Sequence, residues 1–401
     1  MTLAAHYSRF RVAERLLLTG HAHQAWPDVA REGVLEAWDD AALDLGRKWD
    51  RASAKAERLR AGVRMLVGDP GAEVALGGSA HELLVRLLSA LPLRTRPRLV
   101  TTDGEFHSAR RQLDRLEEAG IEVVRVPAEP VGTLAERLAA AVDSRTAGVV
   151  VSSVLFETSR IVPGLAAVAE TCGRAGAELL VDAYHQLGVV PLTVGADGLQ
   201  GAWILGGGYK YLQLGEGNCF LRIPPHASDL EPVVTGWFAH AGDRFAGSTY
   251  DPTSHYRAAR VLDFFDEQGL TPPVLREISL RQRGVLADAF DALDLPEALV
   301  TRDRVTPAEG FGGFLALSSP HATELQAALA QRGVHTDSRG QHLRIGPAPY
   351  LSDDQLTAAM AALGEVCRDV VRRGGRAVTV TRRPAGRRGW GTRVRPPGRE
   401  R

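Results

Sequence analysis

Lys210 is one of three lysines in a chain whose other basic residues are all arginine; the remaining two are Lys48 and Lys55. It stands in LGGGYKYLQLGEG, after three glycines and between two tyrosines. A guanidinium keeps its proton, whereas a partly desolvated lysine amine can shed one and become a nucleophile. The position suits a Schiff-base lysine, and the glycines would let backbone approach a ligand closely. Upstream, Asp182 ends the apolar run AELLVD. In an open parallel sheet ligands bind beyond the carboxyl ends of the strands, so this carboxylate is expected to point into that crevice. A buried acid there needs a cationic partner. Read by itself, Asp182 could equally cap the next turn. The two residues together suit an imine-forming lysine and a carboxylate that keeps a pyridine nitrogen protonated.

The elements that must position them alternate along residues 56 to 222. Apolar runs occur at 73–76, 98–102, 121–126, 147–154, 177–184, 202–207 and 218–223. Helix-length segments lie between several of them, with apolar residues at three- and four-residue steps. Continuous apolar runs mark strands buried on both faces, hence a mainly parallel seven-stranded sheet covered by helices in an α/β domain. The last two runs are too close for an intervening helix, which suggests an antiparallel edge strand. From Tyr256 onward, helices flank strand-like runs at 311–318 and 343–346, the pattern of a smaller α+β domain. The expected divisions are an N-terminal segment with a substrate loop (1–55), a large domain (56–250), a small C-terminal domain (251–370) and a tail (371–401).

The formal net charge is zero, yet residues 371–401 hold 11 arginines and one acid, Glu400. Rich in Arg, Gly and Pro and without periodicity, this tail is expected to be disordered. A solvated appendage is the favoured reading over nucleic-acid binding. No apolar run reaches the roughly 18 to 20 residues that cross a bilayer, and the N-terminus lacks the apolar core of a secretory signal. Three cysteines, Cys172, Cys219 and Cys367, show neither metal-ligand spacing nor a disulfide pattern. A cytoplasmic enzyme without membrane attachment is expected.

Asp182 in DAYHQLG, followed by Tyr209-Lys210-Tyr211-Leu212 and a Gly-rich turn, resembles the class V branch of fold-type-I pyridoxal-phosphate (PLP) enzymes, and kynureninase within it. The resemblance implies PLP as cofactor and assigns further residues. Ser79 and Ala80, in GGSAHELL, match the phosphate-binding pair, although Ser79 is also a plain helix cap. Phe106 matches the aromatic that stacks on the cofactor ring; the Phe-Pro-Thr-Asp run common in kynureninases is Phe106-His107-Ser108-Ala109 here. His185 matches the DxxH position near the cofactor, and Tyr209 the tyrosine that reaches the phosphate. Trp237, in TGWFAH, resembles the Gly-Trp segment lining the pocket. Thr249, with Ser248 beside it, resembles the segment reaching the phosphate of the neighbouring subunit, which implies a homodimer with shared sites.

Residues 332–355 resemble kynureninases in their Arg-Gly-Val, Asp-x-Arg and Leu-Arg order, which gives Arg344 the substrate α-carboxylate, a task suited to a planar guanidinium. A cysteine desulfurase would need a reactive Cys on the preceding loop, where this chain has Thr336-Asp337-Ser338-Arg339; Cys219 and Cys367 read as structural. The N-terminal loop departs from the family's Gly-Asn-Ser-Leu-Gly; His21, His23 and Trp26 are its candidate substrate contacts. No further ligand follows the His-x-His pair, so no metal is expected. The implied reaction is hydrolysis of the Cβ–Cγ bond of kynurenine or a related amino acid, giving an aryl acid and alanine. The alternatives are a C–S lyase, a class V aminotransferase, or a non-catalytic PLP-fold protein.

Overall fold

The computed structural model describes residues 2–374 of the 401-residue chain. In chain order the elements are β1 (Leu16–Leu17), α1 (Ala30–Leu43), α2 (Lys48–Leu66), β2 (Glu73–Gly77), α3 (Ala80–Ala90), β3 (Arg98–Thr102), α4 (His107–Glu118), β4 (Glu122–Val126), α5 (Leu134–Ala141), β5 (Thr146–Ser152), α6 (Leu165–Ala175), β6 (Glu178–Asp182), β7 (Ala202–Gly207) and β8 (Cys219–Ile223). They continue with α7 (Thr253–Glu267), α8 (Pro272–Asp291), β9 (Thr301–Arg302), β10 (Leu315–Ser318), α9 (Ala322–Gln331), β11 (Val334–His335), β12 (Asp337–Arg339), β13 (His342–Ile345) and α10 (Asp353–Gly374).

The main sheet has the order β2-β8-β7-β6-β5-β3-β4. From β7 to β4 every pairing is parallel. Its strands are buried on both faces because each feeds two apolar layers. In β5, Val149 and Val151 join one cluster while Ala147 and Val150 join the other. β8 is antiparallel to β7, as the tight connection required, but it is not an edge strand. β2 pairs antiparallel outside it, Gly77 opposite Cys219, and takes the edge. Because β8 runs against its neighbours, its first residue lies at the carboxyl edge of the sheet, beside the crevice.

A second sheet, β12-β13-β10-β9, is antiparallel throughout. The N-terminal segment is joined to this part of the chain. β1 pairs parallel with β11, Leu16 opposite Val334, and Thr19 bridges to Gly346. The 19–25 loop is thereby fixed above the carboxyl edge of the main sheet, with the Ala25 amide donating to Tyr350 Oη. α10 runs to Gly374, so the first four residues of the segment read as a disordered tail are helical; the rest of that tail lies outside the described residues. Among the described residues no helix is long and apolar enough to cross a membrane.

Candidate active site

β6 ends at Asp182, and β7 runs through Gly206 and Gly207 into Lys210. The glycines make room for protein rather than for a ligand, which corrects the reading from sequence. A Cβ on Gly206 would meet Leu187 at 2.5 Å, and one on Gly207 would meet the Tyr184 hydroxyl at 2.3 Å. The backbone can therefore pass flush against the 183–187 turn and deliver Lys210 and Asp182 to one cavity of about 250 Å³. Ser79, Ala80, Phe106, His185 and Tyr209 line the same cavity.

Lys210 is 5% exposed, and its Nζ lies 2.7 Å from His185 Nε2. Burial pushes the amine down to about 7, against the opposing pull of Asp182. Much of it is therefore neutral near pH 7. Asp182 is raised by burial and held back by the Tyr184 N–H, which donates to its carboxylate at 2.9 Å, and by the charge of Lys210. Burial, then the charges of Lys210 and Arg344, hold His185 well below the ordinary imidazole range. Its Nδ1 is buried and has no partner.

Aromatic rings surround the amine. Nζ lies 4.6 Å from the Tyr184 ring centroid, 5.5 Å from Phe106 and 5.8 Å from Tyr209. Phe106 is itself braced edge-on by Phe156 at 5.4 Å. At the start of α3, Ser79 Oγ accepts from the Glu82 N–H at 3.2 Å, so its capping role is realised. Glu82 in turn accepts from the Gly78 N–H at 2.9 Å and pairs with Arg86. This helix start puts Gly78, Ser79 and Ala80 on the cavity wall, with the Gly78 N–H held by the Glu82 carboxylate that an incoming anion would displace.

Four cavity or near-cavity residues were not singled out from sequence. Tyr184 lines the cavity beside Asp182 and His185. Cys219 lines the cavity, 3.6 Å from Tyr184 Oη, because it opens the antiparallel strand; burial pushes its thiol up to about 11 and keeps it from acting as a thiolate. Glu105, 1% exposed, accepts from Thr102 Oγ1 (2.7 Å), Ser152 N (3.1 Å) and Ser152 Oγ (2.5 Å). Burial pushes its carboxyl up to about 7, with a smaller push from Asp182. Ser152 itself pairs with Asp182 across β5 and β6. An acid beside Phe106 thus exists, on its N-terminal side.

The remaining candidates divide. Arg344 is 3% exposed and stands behind Phe156, donating to its carbonyl at 2.6 Å. Its guanidinium also pairs with Asp337, directly opposite on β12, while Nε has no partner. Asp337 holds Arg339 as well, at 2.6 Å. His21 is fully buried against Phe314 (4.6 Å between centroids), with both ring nitrogens unpartnered and Nε2 3.9 Å from Asp337. His23 is exposed and stacks on Tyr209 at 5.2 Å. Trp26 does not join them. It turns to another face, where Arg257 covers its ring at 4.5 Å and Phe10 meets its edge. Consecutive loop residues point to opposite sides, so the loop does not act as one block. Trp237 (68% exposed) and Thr249 lie on the outer surface, away from this chain's own cavity.

This sheet order, with an imine-capable lysine and an acid at the carboxyl edge, defines the fold of the fold-type-I PLP-dependent enzymes. A C-DES mutant with glycine covalently linked to its PLP cofactor superimposes with a TM-score of 0.78 at 16% identity, covering 91% of this chain and all of that one. A NifS-like protein gives 0.73 at 18%, covering 88% of this chain and 100% of the other. In sequence, the chain is similar to a kynureninase of Burkholderia pseudomallei (strain 1106a), 29% identical over 356 residues and 80% of each chain. It is also similar to the uncharacterized aminotransferase YcbU of Bacillus subtilis (strain 168), 24% identical over 340 residues, 82% of this chain and 88% of that protein. No family model matches.

Proposed function

We propose that this chain is a PLP-dependent enzyme acting on an amino acid, and within that class a kynureninase-like hydrolase. The observation that carries the reading is the buried Lys210 amine facing Asp182 in one cavity walled by Phe106 and Tyr184. The unpartnered Nδ1 of His185 and the amide-rich start of α3 fit the polar groups of PLP. When bound, PLP supplies an aldehyde for amines and a protonated pyridine that takes up electron density from the substrate α-carbon.

The protein's own groups do the rest. Lys210 would hold the cofactor through its amine and, when free, would take the substrate α-proton; an amine that titrates near pH 7 suits a general base. Asp182 keeps the ring nitrogen protonated. Ser79, Ala80 and Tyr209, which line the cavity, would hold the phosphate, and Phe106 and His185 would hold the ring. Arg344 receives the substrate carboxylate in place of Asp337 and so sets the angle of the scissile bond. His21, neutral and unpartnered, hydrogen-bonds the substrate side chain, with His23 at the rim. Water then splits the Cβ–Cγ bond of kynurenine or a relative, releasing the aryl acid and alanine.

Exposed apolar side chains on and after α1 (Leu35, Trp38, Leu43, Leu45), with Val233, Trp237 and Tyr250, give a second copy its docking face. In that dimer Trp237 and Thr249 complete the neighbour's site. Trp38→Glu should turn dimer into monomer in sedimentation; an unchanged dimer refutes this face. Three buried, unpaired cysteines fit a reducing cytoplasm.

The deciding assay supplies kynurenine or 3-hydroxykynurenine to PLP-loaded protein and follows the fluorescent anthranilate product. Activity abolished by Lys210→Ala is expected. The fold likeness to C-DES, a cystine C–S lyase, supports one second reading, a C–S lyase. Pyruvate from a cysteine conjugate, with no product from either kynurenine, would select it.

A further inference from the structure

A second cavity, of about 390 Å³, lies between α8, β10 and the 302–311 loop, and shares no lining residue with the Lys210 cavity. Arg283 of α8 enters it from below. Only 6% of this residue is exposed. One guanidinium nitrogen donates to the Ala308 carbonyl at 2.7 Å, while Nε is buried with no partner. Among the described residues no carboxylate pairs with it; the one acid acting on it is Glu309, through charge at a distance. Arg160 shares its site. The two guanidinium carbons lie 5.7 Å (Arg160) and 5.9 Å (Arg283) from the centroid of the same ring, Phe311.

The acids around the cavity are spent or peripheral. Asp303 pairs with Arg160 and accepts from the Val305 and Thr306 amides and the Thr306 hydroxyl. Arg302 on the wall is paired with Asp291. Glu129 and Asp288 are exposed. Thr158, Ser318 and His342 add hydroxyl and imidazole groups, the last two 3.4 Å apart. A buried cation without a counter-charge is costly, and an anion that completes it removes that cost.

We propose that this cavity binds a small oxyanion, a carboxylate or a phosphate, with Arg283 as its main partner and Arg160 as the second. The site adjoins the substrate side of the molecule without being part of it. Ser318 and His342 face each other in the same register as Ala316 and Arg344, two residues along β10 and β13. The proposal does not depend on which amino acid the enzyme cleaves.

The test uses full-length, PLP-loaded protein, so that the cofactor's own phosphate site is filled. Phosphate, malonate and acetate are titrated at constant ionic strength against chloride, reading unfolding temperature and, separately, heat of binding. A saturable response to phosphate alone assigns a phosphate ligand; one to malonate or acetate assigns a carboxylate. Arg283→Met should weaken the apparent affinity at least tenfold, and Arg160→Gln should weaken it less. Equal responses in wild type and Arg283→Met, or none beyond chloride in the wild type, overturn the site and leave Arg283 a clasp on the Ala308 carbonyl. Should Arg283→Met fail to fold, Arg283→Lys and the wild-type calorimetry decide. Neither readout involves turnover, so failure here leaves the proposed reaction untouched.

Discussion

Glu105→Gln isolates the titration of one buried acid. The amide has the volume of the carboxyl and can still accept from Thr102 and the Ser152 amide, while its NH₂ can donate to Ser152 Oγ; what disappears is the ionisable proton. The wild-type carboxyl is raised from 4.5 to about 7, chiefly by burial. Between those values the folded protein holds a proton that the unfolded chain has released. Stability therefore falls as pH rises through this window, and the full benefit of the protonated form is present only below the unfolded value. At about 1.4 kcal/mol per pH unit, the loss amounts to on the order of 3 kcal/mol. The variant has no such loss. In urea unfolding of cofactor-free protein from pH 5 to pH 8, the difference between Glu105→Gln and wild type should swing by that order in favour of the variant as pH rises. A difference that stays flat would mean that Glu105 is ionised throughout, and the account of a protonated acid behind Ser152 would fail.

Three further outcomes follow from the same geometry. In cofactor-free protein, the rate of labelling Lys210 with an amine-selective reagent should be half-maximal near pH 7, far below 10.5, and Asp182→Asn should move it lower still, because Asp182 raises the amine; peptide mass spectrometry as a function of pH checks both. Arg344→Lys cannot span Asp337 and the Phe156 carbonyl, and losing one charged hydrogen bond of about 1.5–3 kcal/mol should raise KM roughly 10- to 100-fold with a smaller change in kcat in steady-state assays. Gly207→Ala forces a methyl group onto the Tyr184 hydroxyl, so it should cost about 1–3 kcal/mol in unfolding experiments and speed loss of PLP on dialysis.

The seven strands of the main sheet were legible because each is a short, mostly apolar run, and Asp182 because it terminates one of them. Lys210 drew notice as a rare lysine set after three glycines at the end of a strand-like run. Glu105 was not, since its burial depends on Thr102 and Ser152, which end two other strands. Cys219 read as an ordinary strand residue; only the reversed direction of β8 brings it to the crevice. Trp26 shows the opposite failure. Nearness in sequence to His21 and His23 suggested a shared role, but the loop's attachment to β11 and β13 at Leu18–Gly20 turns its ring toward Arg257. The strand that carries Arg344 was legible, but not the residue's engagement with Asp337, which is fixed by strand register.

The place of β2 has a consequence for biosynthesis. This strand leaves the ribosome early, yet among the described residues its one strand partner is β8, so until Cys219–Ile223 has been made it is held only by packing against α2 and α3 and by Arg60, which donates to the Val74 carbonyl. Ser79 and Ala80 follow directly on that strand. A nascent chain halted after Lys210 but short of β8 would carry the amine while the strand that leads into the start of α3 still lacked its sheet partner.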